Sequence, residues 1–113
     1  MADQFRGELW LADLGATRGH EQSGRRPVLI FSVDVFNAGP AGLVIVLPLT
    51  STVRNVPAHV PVAPPEGGLK RPSVILCDAI RSVTRDCLIR RWGTVSTGTL
   101  AKVEDAVRVL LGL

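Results

Sequence analysis

The chain reads as a mainly β protein with a C-terminal helix, and three features of the sequence predict it. Short runs rich in Val, Leu and Ile recur between clusters of Gly, Pro and polar residues, the punctuation of strands joined by turns. One run, Leu43 to Leu47, is apolar at every position, the pattern of a strand buried on both faces. Only near the end does the period change, where Leu100, Val103, Val107, Leu110 and Leu111 recur at helical spacing. Several short strands followed by one helix imply a strongly bent sheet or small barrel packed on that helix.

Taken in order, Glu8 to Ala12 reads as the first strand, with Trp10 large enough to anchor a small core. Asp13 to Arg26 is a polar, glycine-bearing loop, long enough inside a compact domain to suggest function. Pro27 ends it, Val28 to Val33 forms the second strand, and Asn37 to Gly42 is a turn by composition. In Val56 to Val62, Val56, Ala58, Val60 and Val62 alternate onto one face. Pro57 and Pro61 share parity, so both missing N–H groups fall on one side, which predicts a proline-blunted edge strand. Ser73 to Cys77, Ile80 to Val83 and Leu88 to Val95 complete the strands. The final helix takes Thr97 as its cap, ends near Gly112, and carries Glu104 and Arg108 as an i,i+4 pair.

The composition bounds the function. At 113 residues, 46% hydrophobic and 20% charged, residues 1–113 form a single domain able to bury a core without staples. No run is long and apolar enough for a membrane helix, and the N-terminus shows no secretory pattern, so a cytoplasmic protein is expected. Cys77 and Cys87 have no zinc-site spacing and read as structural. No metal and no cofactor is expected. Eleven of the thirteen basic residues are arginine, a side chain suited to bidentate phosphate recognition. A GC-rich genome gives the same bias, so the position of each arginine has to decide.

Two segments carry the chemistry. Gly19-His20-Glu21-Gln22-Ser23-Gly24-Arg25-Arg26-Pro27 puts a carboxylate, two guanidinium groups and a glycine hinge in one loop. Pro48-Leu49-Thr50-Ser51 ends a buried strand with two hydroxyls. Brought together, they make an anion-recognising pocket fit for a phosphodiester. Plainer roles exist for each residue. Arg26 pairs equally well with Asp34 or Glu8, Thr50 can cap a turn, and Glu21 can bridge to Arg25. His20 reads as a loop residue rather than as a general base. His59, on the edge strand, is expected in solvent, Trp10 in the core and Trp92 at a subunit interface.

These segments, with Arg6-Gly7-Glu8-Leu9-Trp10, Ser73-Val74-Ile75-Leu76-Cys77-Asp78 and Ile80-Arg81-Ser82-Val83 in the same order, resemble the MazF/PemK family of bacterial toxins. The resemblance implies an SH3-like small barrel of the MazF/CcdB type, assembled as a homodimer with an RNA groove along the interface. It implies a type II toxin–antitoxin toxin, a sequence-selective endoribonuclease (mRNA interferase) that cuts single-stranded RNA by 2′-hydroxyl attack without metal. The products are 2′,3′-cyclic phosphate and 5′-hydroxyl ends. Arg26 and Thr50 occupy the family's catalytic positions, and Glu21 matches its loop carboxylate. Of these, Arg26 suits transition-state stabilisation and Glu21 suits the base, since a guanidinium holds its proton near neutral pH. Arg18, His20, Gln22, Arg25, Ser51, Arg54 and Arg81 are the RNA-binding candidates. The expected partner is a cognate antitoxin whose acidic C-terminal segment covers the groove. Ala79 stands where many members carry glutamine, which removes any base contact made there. Two other readings remain: a non-catalytic nucleic-acid-binding barrel, and a gyrase-poisoning toxin of the same fold. The second lacks support in the C-terminus, which ends Val109-Leu110-Leu111-Gly112-Leu113 without tryptophan.

Overall fold

The computed structural model describes residues 4–15 and 24–113. Among them are seven strands and two helices: β1 (Glu8–Asp13), β2 (Arg25–Ile30), α1 (Asp34–Asn37), β3 (Leu43–Thr50), β4 (His59–Val62), β5 (Ser73–Leu76), β6 (Arg81–Thr84), β7 (Leu88–Thr94) and α2 (Thr97–Leu111). The sheet is antiparallel and runs β4-β5-β3-β2-β1-β7, with β6 paired to β3 off that path. The expected architecture of a bent sheet with a C-terminal helix is what forms.

The organiser is β3, which changes partners along its length. Leu43 to Val46 pair with β6, Val46 to Pro48 with β2, and Leu49 and Thr50 with β5. Phe31 N–H donates to the Ile45 carbonyl at 2.9 Å. Odd residues of β3 therefore aim their backbone groups at β2, and even residues, Pro48 among them, at the opposite edge. The β6 pairing ends at Val46 and the β5 pairing begins at Leu49. Pro48 thus puts its missing N–H at the changeover, where it interrupts neither ladder.

Side-chain alternation divides the core in two. Leu9, Leu29, Leu47, Leu49 and Ile75 pack with Val103 and Val107 of α2. Ala12, Val28, Ile30, Val44 and Val46 form a second cluster with Leu14 and Val83 on the other face. Both faces of the central strands are covered, so β2 and β3 read as continuous apolar runs.

The structure corrects several expected boundaries. Rather than spanning Val28 to Val33, β2 starts at Arg25, because the β1 ladder continues through Ala12↔Arg26 and Asp13↔Arg25. It stops at Ile30, where the chain turns into the one-turn helix α1. There Asn37, fully buried, donates to the Ser32 carbonyl at 3.1 Å and accepts from the Ser32 hydroxyl. The edge strand is confirmed as β4, with Val60 and Val62 buried and Pro61 exposed. It is shorter than expected, since Pro57 and Ala58 lie in the preceding turn. The cap of α2 is Ser96 rather than Thr97, its Oγ accepting from Thr99 N–H at 3.1 Å. Glu104 reaches Arg6 at 2.6 Å instead of Arg108, which joins Asp105 at 3.0 Å. The long-range pair wins because Arg6 is already held over the Phe31 ring, 4.4 Å from its centroid, and bonded to the Phe31 carbonyl. Leu110 and Leu111 lie beyond the sheet and stay exposed.

One backbone contact shapes the site. A Cβ on Gly93 would lie 2.6 Å from the Gly67 carbonyl carbon, and one on Gly68 would lie 2.4 Å from the Trp92 carbonyl oxygen. Only glycine lets the 66–68 turn lie directly on β7, which brings Leu69 to Arg71 beside the Arg90–Trp92 stretch.

Candidate active site

The cross-strand register leads to the site. Val28 lies opposite Pro48 in the β2–β3 pair. Carried two residues further, that register sets Arg26 opposite Thr50, on the face that Val28 and Val46 bury further along. Residues opposite one another share a face, so the apolar second cluster is followed at its open end by a guanidinium and a hydroxyl.

Two clefts meet there. The first, of about 800 Å³, is lined by Arg25, Arg26, Lys70, Arg71, Arg90 and Arg91, with Thr50, Ser51, Thr52, Ser73 and Trp92 among the remainder. Among the described residues no carboxylate lines it. The second, of about 610 Å³, is lined by Arg26, Thr50, Thr52, Arg54, Val56, His59, Leu76, Asp78 and Ala79. Arg26, Thr50 and Thr52 belong to both and form the saddle between them. The Thr50 hydroxyl oxygen accepts from Thr52 N–H at 3.2 Å. This bond takes one lone pair and leaves the Thr50 O–H to donate into the clefts.

The arginines divide by position. Arg6 and Arg85 serve the fold, Arg85 donating to the Asn37 carbonyl at 2.7 Å. Arg91 lines the first cleft but is also tied down, its Nε donating to Glu8 at 2.7 Å. Glu8, buried, also accepts from Phe5 N–H at 2.8 Å and from Trp10 Nε1 at 3.0 Å. Glu8 and Asp34 are therefore engaged elsewhere, Asp34 by the Arg6 backbone N–H at 2.8 Å. Arg25, Arg26 and Arg54 face the clefts, whereas Arg81, on β6 opposite Val46, lines neither. Ser51 lines the first cleft. Arg18, His20, Glu21 and Gln22 lie outside the described residues.

Sequence reading missed several cleft residues. Lys70-Arg71 and Arg90-Arg91 are visible as two dibasic pairs, but only the glycine contact beneath them brings them together. His59 is the clearest correction. Its side chain is 11% exposed, its Nε2 lies 3.4 Å from Asp78 Oδ1, and its buried Nδ1 has no hydrogen-bond partner among the described residues. The β4–β5 register pairs His59 with Leu76 and so carries it to Asp78, two residues further on. Trp92, half-buried, lines the first cleft. Trp10 is half-buried against the second cluster. Among the described residues no group of three or more His, Cys, Asp or Glu is gathered to hold a metal ion, and no helix is long and apolar enough to cross a membrane. The Cys77 thiol is pushed up to about 11 by burial and then by the neighbouring Asp78 carboxylate.

Among the described residues, a cleft carrying six cations with a guanidinium and a hydroxyl at its rim is an arrangement suited to an anionic ligand. The chain belongs to the family described as PemK-like, MazF-like toxin of type II toxin-antitoxin system, whose model matches residues 5–111. It is 34% identical over 113 residues to endoribonuclease MazF9 of Mycobacterium tuberculosis, covering 96% of each chain. To endoribonuclease EndoA of Bacillus subtilis it is 31% identical over 109 residues, covering 96% of this chain and 94% of that one. Among solved structures, MazF of Deinococcus radiodurans superimposes with a TM-score of 0.85 at 31% identity, covering 97% of each chain. A mycobacterial endoribonuclease in complex with its cognate antitoxin does so at 0.81 and 29% identity, covering 97% of this chain and 96% of that one.

Proposed function

We propose that this chain is the toxin of a type II toxin–antitoxin module and a sequence-selective endoribonuclease acting on single-stranded RNA. The observation that carries the reading is the saddle: Arg26 and Thr50 are shared by both clefts, so a phosphate lying across it meets both. The reaction is attack of the 2′-hydroxyl on the adjacent phosphorus. The 2′-oxygen loses its proton to a base, the P–O5′ bond breaks, and the 5′-oxygen takes up a proton. The products are a 2′,3′-cyclic phosphate and a 5′-hydroxyl end. Charge builds on the phosphoryl oxygens in the transition state. Arg26 meets it with two parallel N–H donors and Thr50 with its O–H. Glu21 is the proposed base, and Arg26 stabilises the transition state and passes a proton to the leaving oxygen. No metal takes part in this scheme.

The first cleft suits the rest of the strand, since Arg25, Lys70, Arg71 and Arg90 give a run of phosphate donors with no opposing carboxylate among the described residues. The same cations suit an acidic, disordered antitoxin segment that folds as it binds. A homodimer in the cytoplasm completes the reading. The test is incubation of the pure protein with a long RNA in excess chelator. Discrete cuts bearing cyclic phosphate are expected. Arg26→Ala should lower the rate by at least about 10²–10³, the usual loss for one oxyanion donor. Cutting that needs added divalent metal, or that survives Arg26→Ala at near wild-type rate, overturns the mechanism.

A further inference from the structure

The two clefts differ in electrostatics. Among the described residues the first carries six cations and no acid, whereas the second carries Arg26 and Arg54 together with Asp78 and His59. In the proposed reaction Glu21 takes a proton, whereas Asp78, beside His59, has no such task, and an ionised carboxylate there suits a group that presents N–H donors. Val56, Leu76 and Ala79 give the second cleft apolar wall, on which a flat ring can lie. Ala79 has no hydrogen-bonding side chain, which leaves Asp78 as the carboxylate reader on that wall. Its side chain is 49% exposed, while His59, 11% exposed, stands 3.4 Å behind it.

We propose that the second cleft seats a nucleobase flanking the scissile phosphate, and that Asp78, oriented by His59, selects for guanine and against uracil. The proposal rests on the endoribonuclease reading above and names the base preference of that site. Ionised aspartate is acceptor-only. Guanine alone among the four bases offers two adjacent N–H donors on its Watson–Crick edge, N1–H and the N2 amino group, matched to the two carboxylate oxygens. Adenine and cytosine offer one amino group beside a ring acceptor. Uracil offers one N–H between two carbonyl oxygens, which face a carboxylate unfavourably. Single-stranded RNA is read on such edges once its bases are splayed apart. Asp78 is then a specificity residue that touches substrate, and His59 is a positioning residue that acts through it.

The experiment is cut-site sequencing on an RNA pool randomised over an unstructured stretch, in chelator, with each variant's preference normalised within the pool. Wild-type cuts are expected to be enriched for guanine and depleted of uracil at one position flanking the cleaved bond. D78N, which exchanges one acceptor for a donor, should weaken that enrichment about tenfold at that position alone. H59L, without a ring nitrogen, should loosen the same position, and H59Q, which restores an amide N–H near the place of Nε2, should recover it. Wild-type cuts without a guanine preference at either flanking position, or a D78N profile identical to wild type, overturn the proposal. So does loss of all cutting by a D78N protein that melts like wild type, since Asp78 would then serve the chemistry. If D78N does not fold, the H59L and H59Q pair carries the same test, and identical profiles from both overturn it. Wild-type protein that cuts no RNA at all defeats the endoribonuclease reading instead, a result distinct from these.

Discussion

In the proposed reaction Thr50 and Arg26 carry different shares of one task, and single substitutions separate them. Thr50→Val keeps the shape and the β3–β5 pairing while removing the hydroxyl that Thr52 N–H orients. It should slow cleavage by about 10²-fold with little change in melting temperature, checked by single-turnover kinetics beside thermal unfolding. Arg26→Lys keeps the charge but loses the two-pronged geometry, so it should recover only part of what Arg26→Ala loses. The thiols report a different property. Cys77 is 1% exposed and its thiol is pushed up to about 11. At pH 8 it stays protonated and resists iodoacetamide until the chain unfolds, while Cys87, half-buried and raised less, reacts first. The unfolded thiol ionises near its ordinary value of 9 and the folded one only near 11, so stability should fall as pH rises from about 9 towards 11. Rapid alkylation of Cys77 in native protein would contradict the burial. At this scale sequence reading expected Arg26 and Thr50 to come together, and the β2–β3 register brings them together, because Arg26-Pro27 and Leu49-Thr50 sit beside strand signals that give their parity. It could not find His59, whose environment is made by Asp78 across another strand.

The elements show where local rules suffice and where they yield. Ser96 caps α2 through Thr99 N–H, and Gly112 closes it at φ 69°, so both ends are written in the sequence. Ser96→Ala should cost about 1 kcal/mol, read as a shift in the urea midpoint. Gly93 belongs to a long-range rule instead. Gly93→Ala drives a methyl group into the backbone of Gly67, and should destabilise far more than an ordinary strand substitution. The same change should weaken RNA binding in any protein that still folds, because it pushes Lys70 and Arg71 away from Arg90. Binding measured by fluorescence anisotropy on an uncleavable strand checks this. Boundaries failed where a partner extended a strand, as β1 does for β2, or where a buried Asn37 built a helical turn out of an expected loop.

Across the whole molecule, the N-terminal segment is tied to α2 by Arg6, held between Phe31 and Glu104. A double-mutant cycle on Arg6 and Glu104 should give a coupling of about 0.5–1 kcal/mol that fades in high salt, as expected of a half-exposed pair. Glu66 adds a second tie by accepting from Ser96 N–H at 2.9 Å. Its pKa is lowered, first by the Thr99 hydroxyl, against burial, with Ser96 and Lys102 helping. A carboxylate of this kind contributes stability above its unfolded pKa of about 4.5, and loses it as pH falls through the lower folded value. Glu66→Gln should therefore shallow the acid limb of the melting-temperature profile below about pH 4.5. The β class, the terminal helix, the proline-blunted edge and the candidacy of Arg26 and Thr50 are legible in chain order, because periodicity, turn residues and parity act within a few residues. Long-range packing sets the pair on a saddle between two clefts, joins four distant cations to it and brings His59 within 3.4 Å of Asp78. Those facts depend on which strands become neighbours, and neighbourhood is set by the packing of the two apolar clusters rather than by any local stretch of chain.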